Sequence, residues 1–220
     1  MRGPVFVSFE GIDGSGKTTQ VALLFEHLHA RGREVRVLRE PGGTGLGEHV
    51  RDLLLAGGEV VPWAEVSLFA AARAQLVSTV LRPALESGCD VICDRYFDSS
   101  VAYQGIARGL GLEVVLDWNL RVTDGLLPDI TFLLSVPVNA AASRIAEASE
   151  GRAPGRAQPD RLERESISFR ERVASAYDEL ARRSAERIVK LDGTRSAETI
   201  ASEIAGHVDR LIDAGEQAQA

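Results

Sequence analysis

The chain has 220 residues, 45% of them hydrophobic, with 25 lysines and arginines against 32 aspartates and glutamates and a net charge of −7. That length supports a single domain around one substantial core, and an acidic balance without a long basic run argues against a general binder of nucleic acid or of membrane surfaces. No stretch approaches the ~20 uninterrupted apolar residues of a membrane span and the first strand begins almost at the N-terminus, so the expected address is the cytoplasm.

Val5 to Glu10 is mostly apolar and short enough to be a buried strand, whereas Thr19 to Arg31 carries apolar residues at helical spacing. Between them, Gly11-Ile12-Asp13-Gly14-Ser15-Gly16-Lys17-Thr18 satisfies the GxxxxGK[ST] pattern at a strand-to-helix turn. The glycines let the backbone curl so that N–H groups face an anion, Lys17 adds a mobile positive charge, and the Thr18 hydroxyl suits Mg²⁺. Gly32 ends the helix, Val35 to Leu38 reads as a second strand, and Arg39-Glu40-Pro41-Gly42-Gly43-Thr44 forms a turn. Residues 45–55 are helical, and Pro62 opens a long helix from Trp63 to about Leu85, kinked or ended by Pro83. In it Phe69 and Arg73 lie four residues apart on one face with alanines between them. They are either a stacking ring with a guanidinium donor for a base edge, or a core phenylalanine beside a rim arginine.

Asp90 to Asp94 is a third strand, and Asp94 with Arg95 follows it to the sheet edge beside the phosphate loop. Two readings are open: a Mg²⁺ shell and a second phosphate, or a helix cap and a surface ion pair. Cys89 and Cys93 would lie roughly 13 Å apart on that strand, too far for a disulfide, and read as reduced, buried thiols. The four histidines show no metal-ligand spacing. Residues 98–124 are helical with a break near Gly109 and Gly111, Ile130 to Val136 is a fourth strand, and a helix covers 138–148. Ser149 to Pro159 is rich in Gly, Pro, Ala and Arg. With Arg152, Arg156 and the following Arg161 it is either a lid that closes over a phosphoryl-transfer site or a solvated basic loop. Helix 161–185, strand 188–191, the loop Asp192-Gly193-Thr194-Arg195 and helix 197–213 complete one domain over 1–213, with a lid at about 149–161 and a polar tail at 214–220. Near-continuous apolar strands between amphipathic helices imply an α/β fold: a five-stranded parallel sheet covered on both faces, with ligands beyond the carboxyl ends of the strands.

The ordered set FEGIDGSGKTTQ, REPGGT, LFAAAR, CDRYFDSSVAYQGIARGLG, PDITFLLSVP and DRLERES makes the chain resemble the thymidylate kinase family, a P-loop nucleoside monophosphate kinase fold, from residue 5 to about 213. The resemblance implies that Gly11, Ile12, Asp13, Gly14, Ser15, Gly16, Lys17, Thr18, Thr19 and Arg195 hold ATP, with Thr18 and Asp94 on Mg²⁺. It implies that Asp13 also lies near the sugar 3′-hydroxyl or the metal shell, that Arg95 grips the acceptor phosphate, and that Arg39, Glu40 and Ser100 belong to the acceptor side. Phe69 is matched to the residue stacked on thymine, Arg73 to the donor to its O4, Gln104 to a contact with the base edge, and Tyr103 to the residue crowding the sugar 2′ position. Lys17, Asp94, Arg95, Arg156 and Arg161 are the implied catalytic set, dTMP is the implied partner, and a homodimer supplying dTTP synthesis the implied assembly. Some members carry an arginine where this chain has Gly14, so Arg152, Arg156 and Arg161 become the source of that charge, as in a bacterial-type branch with a basic lid.

The expected chemistry is direct in-line transfer from ATP to the 5′-phosphate of dTMP, giving dTDP and ADP without a covalent intermediate. A guanidinium only donates, so Arg73 suits the O4 shared by thymine and uracil and disfavours cytidylate. A kinase for another nucleoside monophosphate and a P-loop switch protein are the alternatives; the chain lacks the Asn-Lys-x-Asp element that reads guanine in such switches.

Overall fold

A computed structural model describes residues 3–55, 58–150, 161–162 and 164–217. Strands β1 (Phe6–Glu10), β2 (Val35–Arg39), β3 (Asp90–Asp94), β4 (Ile130–Ser135) and β5 (Ile188–Asp192) form one sheet in the order β2-β3-β1-β4-β5. Every pairing is parallel, with Phe9 opposite both Asp94 and Phe132. The five-stranded parallel sheet expected from the apolar runs is therefore the one observed.

Strand periodicity separates two cores. Val5, just before β1, and Val7 and Phe9 of β1 face Val21, Leu24 and Leu28 of helix α1 (Lys17–Ala30) and Ile200, Ile204 and Val208 of α9 (Ala197–Gln217). Phe6, Val91, Cys93 and Leu133 face the opposite way, against a larger cluster. It is built from α3 (Pro62–Leu76), α5 (Phe97–Ser100), α6 (Leu112–Val122) and α8 (Ile167–Arg183). Each fully buried Leu, Ile or Phe in these layers contributes about 1.5–3 kcal/mol. Helices α2 (Gly45–Leu55) and α7 (Val138–Glu150) flank the sheet edge where β2 and β4 end. Cys89 and Cys93 are both buried free thiols, as their spacing requires.

Several boundaries differ from expectation for identifiable reasons. The long helix over Trp63 to Leu85 is interrupted by a π-helical turn at Val77–Leu81 before α4 (Arg82–Glu86). Pro83 has no N–H to donate and its ring crowds the carbonyl one turn earlier, so the preceding turn widens. The helix expected over 98–124 is α5, a second π-helical turn at Val101–Ala107, and then α6. Gly109 and Gly111, at φ +79° and +97°, make the break. Helix α8 starts at Ile167 because the Ser166 hydroxyl caps it, accepting from Phe169 N at 3.2 Å. Helix α9 runs to Gln217, into the residues expected to be a tail.

Candidate active site

The phosphate loop follows β1 directly, and three of its glycines take left-handed φ values: Gly11 +138°, Gly14 +80° and Gly16 +99°. A Cβ at Gly14 would lie 2.4 Å from the carbonyl oxygen of Ala141 on α7, so this position has no room for a side chain of any kind. Gly16 precedes α1 without a side-chain cap, which leaves the first amides of the helix available to an anion. Lys17 Nζ donates to the carbonyls of Gly11 and Ile12, both at 3.0 Å, and lies 4.0 Å from Asp13. Burial and the neighbouring Arg95 push its amine down to about 8, against the pull of Asp13, Asp94 and Glu10.

Thr18 Oγ1 donates to Asp94 Oδ2 at 2.9 Å. A hydroxyl and a carboxylate side by side at the loop are the hard donors that Mg²⁺ takes alongside phosphate oxygens and water, so this pair fits the ion. The Ser15 hydroxyl is buried within the loop with no partner. Arg144 of α7 ties the loop down from above, its guanidinium donating to Gly193 O at 3.0 Å and reaching Gly14 O at 3.5 Å.

Beyond Asp13 opens a cleft lined by Asp13, Glu40, Phe69, Arg73, Arg95, Ser100, Tyr103 and Gln104, with Arg51, Leu55, Ser99 and Leu162 also on its wall. At its floor the Arg95 guanidinium donates to Asp13 Oδ1 at 2.5 Å, Ser99 Oγ at 3.2 Å and Tyr177 Oη at 3.3 Å, and lies 5.6 Å from the Tyr103 ring. Burial raises the Asp13 carboxyl, but Arg95 and Lys17 outweigh it and hold Asp13 below the usual carboxylate range.

Arg95 has φ +72°, a conformation that costs a non-glycine residue about 1–3 kcal/mol. Neighbours hold it there: Arg95 N donates to Phe9 O at 3.0 Å, and Cys93 Sγ to Arg95 O at 3.0 Å. Glu10 completes the clamp by accepting from Tyr96 N, Ser99 N, Ser99 Oγ and Tyr177 Oη. Burial and the nearby Asp98 push the Glu10 carboxyl up, Arg95 opposing them. Sequence reasoning missed Glu10 and Tyr177. The signal for Glu10 was a carboxylate on an otherwise apolar strand, one residue before the loop; Tyr177 lies 167 positions away and gave none.

A family model for thymidylate kinases matches residues 9–204. A thymidylate kinase of Thermosipho melanesiensis is 43% identical over 209 residues, covering 95% of this chain and all of that one. One from Clavibacter sepedonicus is 46% identical over 215 residues, covering 97% and 99%. This chain belongs to the thymidylate kinase family. Its fold follows that of the Ehrlichia chaffeensis thymidylate kinase crystal structure, with TM-score 0.69 and 33% identity over 86% of this chain and 93% of that one.

Of the residues singled out by the thymidylate kinase resemblance, the structure brings Asp13, Glu40, Phe69, Arg73, Arg95, Ser100, Tyr103 and Gln104 to one cleft, and Lys17, Thr18 and Asp94 to its neighbour. Three lie elsewhere. Arg39 is half exposed and pairs with Glu48 at 2.8 Å. Arg195 pairs with Glu203 at 2.6 Å. Arg161 donates to Leu54 O at 2.9 Å and to the buried Glu65 carboxylate on α3 at 2.5 Å. Arg152 and Arg156 lie outside the described residues.

Arg73 lines the cleft, yet its donors are engaged by protein: Glu40 Oε2 at 2.6 Å, Ser100 Oγ at 3.1 Å, Asn119 Oδ1 and, most weakly, Tyr96 O at 3.3 Å. Glu40 Oε1 is buried without a partner, and burial raises this carboxyl although Arg73 pulls it down.

Proposed function

We propose that the protein transfers the γ-phosphoryl group of ATP to the 5′-phosphate of dTMP, giving ADP and dTDP. The observation that carries this reading is the junction at Asp13, where a phosphate loop and an arginine-floored cleft meet. Amides of the loop and Lys17 hold the donor's β- and γ-phosphates, while Arg95, preset by Glu10, Ser99 and Tyr177, holds the acceptor phosphate in line. Phosphate oxygens replace the Gly11 and Ile12 carbonyls as partners of Lys17, and the incoming anions favour its charged form. The acceptor is already an anion, so no residue has to remove a proton from it. Thr18 and Asp94 would hold Mg²⁺, which when bound neutralises charge on the transferring phosphates.

The base lies against Phe69, and a donor from Arg73 to its O4 is available by exchange for the 3.3 Å bond to Tyr96 O. Tyr103 fills the space a 2′-hydroxyl would need. Arg156 remains the lid cation of this reading. Cytoplasmic supply of dTDP for dTTP synthesis and a homodimer belong to the same proposal, and the dimer has a candidate face in the exposed Leu53, Trp63, Val114 and Trp118 on α2, α3 and α6. Helix Pro62–Glu86 reaches the length and hydropathy of a membrane span, but it carries Glu65 and Arg73 into buried ion pairs at the cleft and is a core helix here. Incubation with ATP, Mg²⁺ and each of dTMP, dUMP, dCMP and dAMP, with ADP and the diphosphate followed, tests the assignment. A preferred acceptor other than dTMP, or ADP formed without a nucleotide product, refutes it.

A further inference from the structure

Glu65 is fully buried on α3, and its carboxylate collects donors from two segments well separated in the chain. Gln104 Nε2 donates to its Oε1 at 2.7 Å, Arg108 reaches both oxygens at 3.3 Å, and Arg161 donates to Oε2 at 2.5 Å. Glu65, Phe69 and Arg73 are spaced by four, so all three fall within roughly 80° of one another around the helix and address the same cleft. Gln104 also lines that cleft.

A carboxylate flanked by two guanidiniums accepts and does not donate, so the arm of the Gln104 amide that touches it is the NH2 arm. The other arm, an acceptor oxygen, is what Gln104 has left for a ligand. We propose that Glu65 is a positioning residue that sets the base preference of the acceptor cleft by holding Gln104 with its oxygen toward the base. An oxygen there pairs with the N3–H of thymine or uracil and opposes the N3 lone pair of cytosine. Arg108 and Arg161 hold Glu65 in place, so the same carboxylate joins the base-reading amide to the segment leading into α8. This rests on the cleft being the nucleoside monophosphate site.

The test compares kcat/KM for dUMP and dCMP, which differ only at N3 and C4, in wild type, Glu65→Gln, Gln104→Ala and the double variant. A glutamine at 65 offers an oxygen as well as an NH2, so Gln104 is free to turn over. The dUMP to dCMP ratio should fall about tenfold or more in Glu65→Gln, mainly through KM. In the Gln104→Ala background the same substitution should leave the ratio unmoved. A purely structural role would lower both substrates together, and an unchanged ratio in Glu65→Gln, or a further fall in the Gln104→Ala background, overturns the proposal. Should Glu65→Gln fail to fold, a crystal structure of the wild type with dTMP decides: Gln104 must keep one arm on Glu65 and place the other within hydrogen-bond distance of N3. Gln104 turned away from Glu65, or touching the base with the arm that also touches Glu65, overturns it. Wild type that turns over no monophosphate defeats the acceptor-site reading itself, whereas active wild type with an unmoved ratio defeats this inference alone.

Discussion

Replacing Arg73 by alanine removes the cation from a pair in which Arg73 is 1% exposed and Glu40 is 4% exposed. Four protein acceptors lose a donor, and the Glu40 carboxylate is left buried with neither oxygen paired. Breaking a buried pair from one side costs about 3–5 kcal/mol, a large fraction of the ~5–15 kcal/mol that stabilises a domain. In urea, with m of about 2–3 kcal/mol/M, the midpoint at pH 8 should drop by roughly 1–2 M with m unchanged. The pH dependence has a definite sign. The Glu40 carboxyl is already raised in the folded state, so its contribution to stability is full below the unfolded value and is lost as pH rises through the folded one. Without Arg73 that folded value rises further. The deficit relative to wild type should therefore be smaller at pH 5 than at pH 8. Arg73→Met combined with Glu40→Gln removes the orphaned charge and should recover at least about 2 kcal/mol. A loss below about 1 kcal/mol that is equal at both pH values would refute the view that this pair is integral to the cleft wall.

Lys17→Ala should reduce kcat by about 10²-fold or more while dTMP binding survives; near-normal turnover would remove the loop lysine from the chemistry. Because the Lys17 amine of the free protein titrates near 8 and ATP favours its charged form, the Kd of ATP should be flat below about pH 7 and rise above pH 8, a rise absent from Lys17→Ala. Gly14→Ala places a Cβ 2.4 Å from Ala141 O at φ +80°, so it should destabilise by more than about 1 kcal/mol and weaken ATP; a wild-type melting profile and ATP affinity would show that α7 yields freely. Tyr103→Ala should admit ribosylthymine monophosphate and also lower kcat by loosening Arg95, whereas Tyr103→Phe should do neither; steady-state kinetics on both sugars separates the cases.

The sheet and the phosphate loop were legible because the central strands, buried on both faces, are mostly apolar and the loop needs glycines at positive φ, and both requirements are written locally. The cleft residues on α3 were legible in part, since a four-residue spacing reports a shared face. It does not report the partner. Nothing near Arg73 reveals Glu40, which is 33 positions earlier, and nothing near Arg161 reveals Glu65, which is 96 positions earlier. A loop arginine such as Arg161 is expected to add positive charge at a phosphoryl-transfer site; here its guanidinium lies on the Glu65 carboxylate that the fold brings to it. The absent phosphate-loop arginine was read as a shortage of charge to be supplied elsewhere; the approach of Ala141 shows a steric cause for the glycine as well. The π-helical turns escaped notice because widening by one residue shifts a helical pattern without abolishing it.

Strand β1 is the middle strand, paired on one side with β3 and on the other with β4, and the phosphate loop leaves from its end. Its amides should be among the slowest in the molecule to exchange with deuterium, because releasing them requires both flanking ladders to part. Glu10 and the loop after it are thus tethered to the least compliant element of the fold. Exchange in α2, at the periphery, should respond to nucleotides while β1 stays silent.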